Sequence, residues 1–172
     1  MKKTLSLLTL VTLLTACAPA ASKYEGISSR ELLAECTTDM ATEFHIHSHL
    51  TILVEGEELT VPTDIGIDHT RNCMSSVHTH NTSGVIHVEA PVEADFTLGD
   101  FFYNWDQPFD STQVLDYQVD ETHGLKMYVN GQESKLYDML VMQSHDSIVL
   151  DYYLLADGPS PVPEDYTFAA NE

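Results

Sequence analysis

Apolar and polar residues alternate from His45 to Glu55, and a Glu55-Gly56-Glu57 turn leads into a second short run, Glu58 to Pro62. Alternation with period two puts successive side chains on opposite faces, so this stretch reads as a strand and hairpin. Ser76 to His80 and Val85 to Ala90 read as two more strands, joined by the turn composition Asn81-Thr82-Ser83-Gly84. The period then changes. Thr97 is a capping residue ahead of Leu98-Gly99-Asp100-Phe101-Phe102-Tyr103-Asn104-Trp105, where Leu98, Phe101, Phe102 and Trp105 fall on one helical face. Leu125 to Val129, Asn130-Gly131 and Glu133-Ser134-Lys135 form a further hairpin, a turn follows at Leu136 to Met139, and Ser147 to Tyr153 is the last strong strand. Near the start, Ser29 is placed to cap a short helix running to about Thr38, with Glu31 and Glu35 on it.

The pattern predicts an α+β chain, mainly antiparallel β. From Ser76 onward the order strand, strand, helix, strand, short strand, turn, strand resembles the ubiquitin-like β-grasp layout. The 45–62 hairpin is then an extra N-terminal addition to that sheet. A β-sandwich is the alternative, because one helix discriminates weakly between the two. HLTILVEGEEL echoes GLKMYVNGQES, which is how any two such hairpins look.

The N-terminus has a different character. Lys2 and Lys3 precede Leu5 to Leu14, an apolar run too short to span a bilayer permanently. The run closes on Leu14-Thr15-Ala16-Cys17, the form of a bacterial lipobox in which Cys17 takes the lipid. An ordinary secretory signal cut near Ala18 or Ala20 is the alternative. The expected organisation is a signal peptide over 1–16, a lipidated tether over 17–28, one β-rich metal-binding domain over 29–157 and an acidic flexible tail over 158–172. The lipid is then the expected membrane anchor, facing the periplasm or exterior. Ala18 after the cysteine points to the outer membrane in a Gram-negative host.

Removing the signal sharpens the charge. Five basic residues remain against 27 acidic, a net charge near −22. Such a surface repels nucleic acid and anionic lipid and favours cations, although solubility alone accounts for most of it. Lipidation of Cys17 leaves Cys36 and Cys73. In an oxidising compartment they are expected to pair, with Cys73 as a soft metal ligand the competing role.

Six of the nine histidines fall in two short segments, as His45, His47, His49 and as His78, His80, His87. Strand parity puts the first three on one side and His78 with His80 on one side. An even loop, either Thr82-Ser83 or Asn81 to Gly84, sets His80 against Val85 and His78 against His87. Three imidazoles then share a face within cross-strand reach. Three nitrogens so placed suit a divalent ion, with water or a histidine of the 45–49 strand completing the set. Glu89 follows on the same face as a further ligand or an orienting group. His69, His123 and His145 are read as ordinary hydrogen-bonded histidines. A scattered polar face or a pH-sensing cluster are the competing explanations of the six.

The segments FHIHSHLTILVEGEELTVPTDIGI and CMSSVHTHNTSGVIHVEAPVEADFTLGDFF resemble an uncharacterised family of secreted or membrane-anchored bacterial and archaeal proteins with HxHxHL and HTHxxxGxxHxE motifs. The resemblance covers Phe44 to Phe102 and weakens toward Tyr153. It implies a histidine site without naming a reaction. The family pattern implies an acidic residue where this chain has Asn81, so the resemblance carries no role over to that position.

Imidazole suits copper and zinc alike. The oxidised exterior and Cys73-Met74 favour copper; three histidines with an open position favour zinc. Met127, Met139 and Met142 are read as core fillers. The leading function is metal handling or sequestration by an exported lipoprotein. The alternatives are a metalloenzyme using a metal-bound water, and an interaction module stapled by metal or disulfide.

Overall fold

The computed structural model describes residue 24, residues 26–38 and residues 43–170. The signal segment, Cys17 and most of the tether lie outside the described residues. In chain order the elements are α1 (Ser29–Ala34), β1 (Phe44–Val54), β2 (Glu57–Leu59), β3 (Ile67–Asp68), β4 (Cys73–Met74), β5 (Val77–His78) and β6 (Val85–Ala90). Then come α2 (Leu98–Asn104), β7 (Phe109–Asp110), β8 (Gln113–Val114), β9 (Tyr117–Gln118), β10 (His123–Val129), β11 (Gln132–Ser134), a 3-10 turn at Tyr137–Met139, and β12 (Ser147–Leu154).

The main sheet runs β11-β10-β12-β1-β6-β5, with β2 paired to the far end of β1. β1 and β12 lie side by side in parallel, and every other pairing in this sheet is antiparallel. The fold is therefore α+β and mainly β, as the alternation predicts. Among the described residues it is one mixed sheet with α2 across a face; the other sheets there are a small β3-β4 pair and a β7-β8-β9 arm, not the second layer of a sandwich.

One assignment changes. The grasp-like order starts at β1, not at Ser76: β1 and β6 form the first antiparallel pair, and β5 is a two-residue edge addition. β5 stops early because Thr79 turns away from the ladder. Its N–H donates to the Ile65 carbonyl and its hydroxyl to the Pro62 carbonyl, at 3.0 and 2.9 Å. Two good bonds to that loop replace the ladder bonds β5 would otherwise continue.

Parity on β1 then decides both faces. Leu50 and Ile52 point inward, with Phe44, Ile46 and Val54 packed at the edges of the same core. α2 closes over them, with Leu98, Phe101 and Phe102 fully buried and Thr97 and Asp100 forming a reciprocal capping box. Such a cap contributes about 1 kcal/mol. Met127 and Met142 are core, whereas Met139, expected there, is 65% exposed. α1 is capped by Ser28 rather than Ser29 and ends at Ala34, short of Thr38. Its Leu32 and Leu33 are buried, and Arg30 reaches Asp100 at 3.1 Å.

Cys36 and Cys73 are joined in a disulfide, their Cα atoms 5.3 Å apart. Cys73 is thus not a thiolate ligand. The bridge fastens the chain after α1 to β4. Removing it by Cys36→Ser is expected to cost about 2–5 kcal/mol, read as a lower urea midpoint. Alkylation of the unreduced native protein should label no thiol; labelling of both cysteines would show the bridge absent.

The segment after β12, read from sequence as a loose acidic tail, lies along the outer face of the sheet. Ser160 donates its N–H and its hydroxyl to the buried Asp151 carboxylate at 2.7 and 2.8 Å. The Tyr166 N–H donates to Ser147 Oγ at 2.9 Å.

Candidate metal centre

The outer face of the sheet carries the histidines because parity sends His45, His47 and His49 of β1 away from the core-facing Leu50 and Ile52. Register does the rest. His47 stands opposite His87 across β1 and β6, His78 stands opposite His87 across β5 and β6, and His45 faces Glu89. His87 is the middle of a row of three imidazoles.

The ring nitrogens are close. His45 Nε2 lies 3.1 Å from His47 Nε2, and His47 Nε2 lies 2.9 Å from His87 Nδ1. On the other side His78 Nε2 lies 3.1 Å from His80 Nε2, and the His80 and His87 rings are 4.6 Å apart. Two sets of three result, His45-His47-His87 and His78-His80-His87, each with ligand nitrogens all within 4.8 Å of one another. His47 Nε2 therefore meets two other nitrogens at hydrogen-bond distance. A single ring proton serves one such contact, whereas a cation facing all three nitrogens serves them together.

Electrostatics keep these rings available as ligands. Burial, followed by the neighbouring imidazoles, lowers His78 to about 4 and His87 to about 3. Both stay neutral, with a lone pair free, well below the pH at which free imidazole protonates. Glu89 is 6% exposed, and burial raises its carboxyl above the usual range, opposed by His45. Its Oε1 lies 3.1 Å from His45 Nε2 and 4.0 Å from His87 Nδ1, while its Oε2 is buried with no hydrogen-bond partner among the described residues. A buried carboxylate oxygen left this way costs free energy unless something positive meets it.

The remaining histidines are used otherwise. His49 Nε2 bonds the Ser83 carbonyl at 2.8 Å, and its ring stacks on Tyr166 at 3.9 Å, so it belongs to neither set. It is opposite Val85, two register positions beyond the His47–His87 pair. His69 approaches Asp64, His123 lies between Asp120 and Glu55, and His145 packs on Phe168. Strand parity does not foresee Tyr166 over His49; two aromatics in an acidic terminal segment, Tyr166 and Phe168, are the signal that could have found it. The cleft beside His80, lined by Asp64, Asp68, His69 and Met74, also escapes a reading of the sequence, because those residues come together only when β3 and β4 pair.

The chain matches no family model, no curated protein and no solved structure. What the structure establishes is a sheet face that brings two groups of three imidazoles within metal-binding distance.

Proposed function

We propose that this chain is an exported lipoprotein that binds a transition metal through the histidine face, for handling or sequestration of the ion. The observation that carries the reading is the pair of imidazole trios, each within ligand distance. The disulfide supports export, since such bridges persist in oxidising compartments. The acidic surface supports a cation as partner and argues against nucleic acid. With Cys73 in the bridge, the donors are imidazole nitrogens and a carboxylate, which suits zinc or copper(II) better than copper(I). The test is elemental analysis of untagged protein purified without chelator: bound zinc or copper near stoichiometric amounts supports the reading, and metal-free protein that takes up neither ion refutes it.

Anchoring through Cys17 belongs to the same proposal, as does membership of the family with HxHxHL and HTHxxxGxxHxE motifs. Among the described residues no helix is long and apolar enough to cross a membrane. Cys17→Ala is expected to abolish incorporation of a labelled fatty acid and to release the protein from the membrane fraction. Equal labelling of parent and variant would refute lipidation.

A metalloenzyme is the second reading. Three nitrogen donors leave a coordination position for water, and His45 and His80 each face solvent. Hydrolysis of an activated ester by the zinc-loaded protein, lost on chelation, would favour it over storage.

A further inference from the structure

We propose that the histidine face holds two metal ions, joined by the imidazole of His87. The inference rests on the metal-binding reading above and adds the number of ions and the group between them.

β6 carries His87 between β1 and β5, and adjacent strands lie about 4.8 Å apart, which puts β1 and β5 roughly 9–10 Å from each other. Side chains from both outer strands cannot easily meet at one ion when each already has a nearer partner. On β1 that partner is His45, 3.1 Å from His47. On the far side it is His80, 3.1 Å from His78. The ligand nitrogens accordingly fall into two sets, and His87 is common to both.

The two sets are alike in make-up. Each has one buried ring (His47 or His78), one solvent-facing ring (His45 or His80) and the half-buried His87. Nitrogens 2.9–3.1 Å apart are close to the spacing they would take around a single ion with metal–nitrogen bonds of about 2.0–2.1 Å. These pairs already stand near ligand spacing, and the third nitrogen of each set lies within 4.8 Å of them.

An imidazole has two nitrogens on opposite sides of its ring. His87 Nδ1 is turned to His47, 2.9 Å from its Nε2, and the shared-ring arrangement assigns the other nitrogen, Nε2, to the His78–His80 side. A neutral ring offers one lone pair, so binding the second ion displaces the N–H proton to water as the second metal–nitrogen bond forms. The resulting imidazolate carries one negative charge, shared by two dications, and offsets their repulsion. Glu89 contributes a second negative group on the His45 side, where Oε1 approaches the ring and Oε2 has no partner among the described residues. The His80 side opens on the cleft of Asp64, Asp68 and His69, an acidic approach for an incoming cation.

The test counts ions. Metal-free, untagged protein is dialysed against excess zinc(II) and its metal content measured. The parent should hold two ions per chain, and His45→Gln and His80→Gln one each. Both side chains are solvent-facing, so these variants should fold, which far-UV circular dichroism checks; His123→Gln should keep two. Loaded with copper(II), the parent should give a low-temperature spin-resonance signal well below two spins per chain, because an imidazolate couples the ions. A parent that binds no zinc or copper refutes the metal-binding reading itself. One ion on the parent leaves that reading standing and overturns the pair. Two ions retained in both variants, or two full uncoupled spins, overturns the shared ring.

Discussion

Replacing His87 by alanine is expected to lower the affinity for zinc or copper(II) by more than about 100-fold, beyond the 10–100-fold that loss of an outer partner costs. The size follows from position. His87 is the one residue in both trios, so its loss leaves two nitrogens on each side, and neither side retains a three-nitrogen face. It also stands opposite both His47 and His78 in the register, so no neighbour on β6 can replace it; Glu89, two residues on, is across from His45. His87→Gln should behave in the same way while keeping a polar group of similar bulk, which separates loss of a ligand from loss of packing. His123→Ala and His145→Ala should bind as the parent does, since those rings are held by Asp120 and Glu55 and by Phe168. Titration calorimetry on metal-free proteins at one pH decides the matter. Parent-like affinity in His87→Gln would move the site away from this face.

Much of the face is legible from parity alone. An even loop between the second strand pair predicts His78 opposite His87, and that is the register found. The period change at Thr97 likewise predicts the capping box and buried face of α2. What parity cannot supply is which strand lies beside which. The neighbour of His87 on its other side is His47, because β1 is central and pairs with β6 along its first half and with β12 in parallel. That order depends on long-range packing of Leu50 and Ile52 under α2, not on any local signal. The same limit explains His49. Its parity matches His45 and His47, yet it sits two register positions further along, against Val85, where Ser83 and Tyr166 occupy its ring. Equal spacing along a strand gives equal direction, but ligation also needs a partner at the same height on the next strand.

Lowering the pH from 7.5 to 5 is expected to weaken the folded, metal-free protein. The sign follows from how the fold treats the two rings. In the unfolded chain both take up a proton near 6.5. In the fold, burial first and adjacent imidazoles second hold His78 at about 4 and His87 at about 3. Between those values and 6.5 the unfolded chain binds more protons than the native one, so stability is full above about 6.5 and falls as the pH drops toward 4. For His78 the loss at pH 5 is at most about 2 kcal/mol, at roughly 1.4 kcal/mol for each pH unit below about 6.5. His87 is half-buried and adds less, since solvent screens its charge. Glu89 acts in the opposite sense: its raised carboxyl takes up a proton in the fold before it does so unfolded, which offsets part of the loss. Urea midpoints of the metal-free protein should therefore fall between pH 7.5 and 5, and His78→Gln should fall less. Equal decline in parent and variant would mean that His78 is not held neutral by its surroundings.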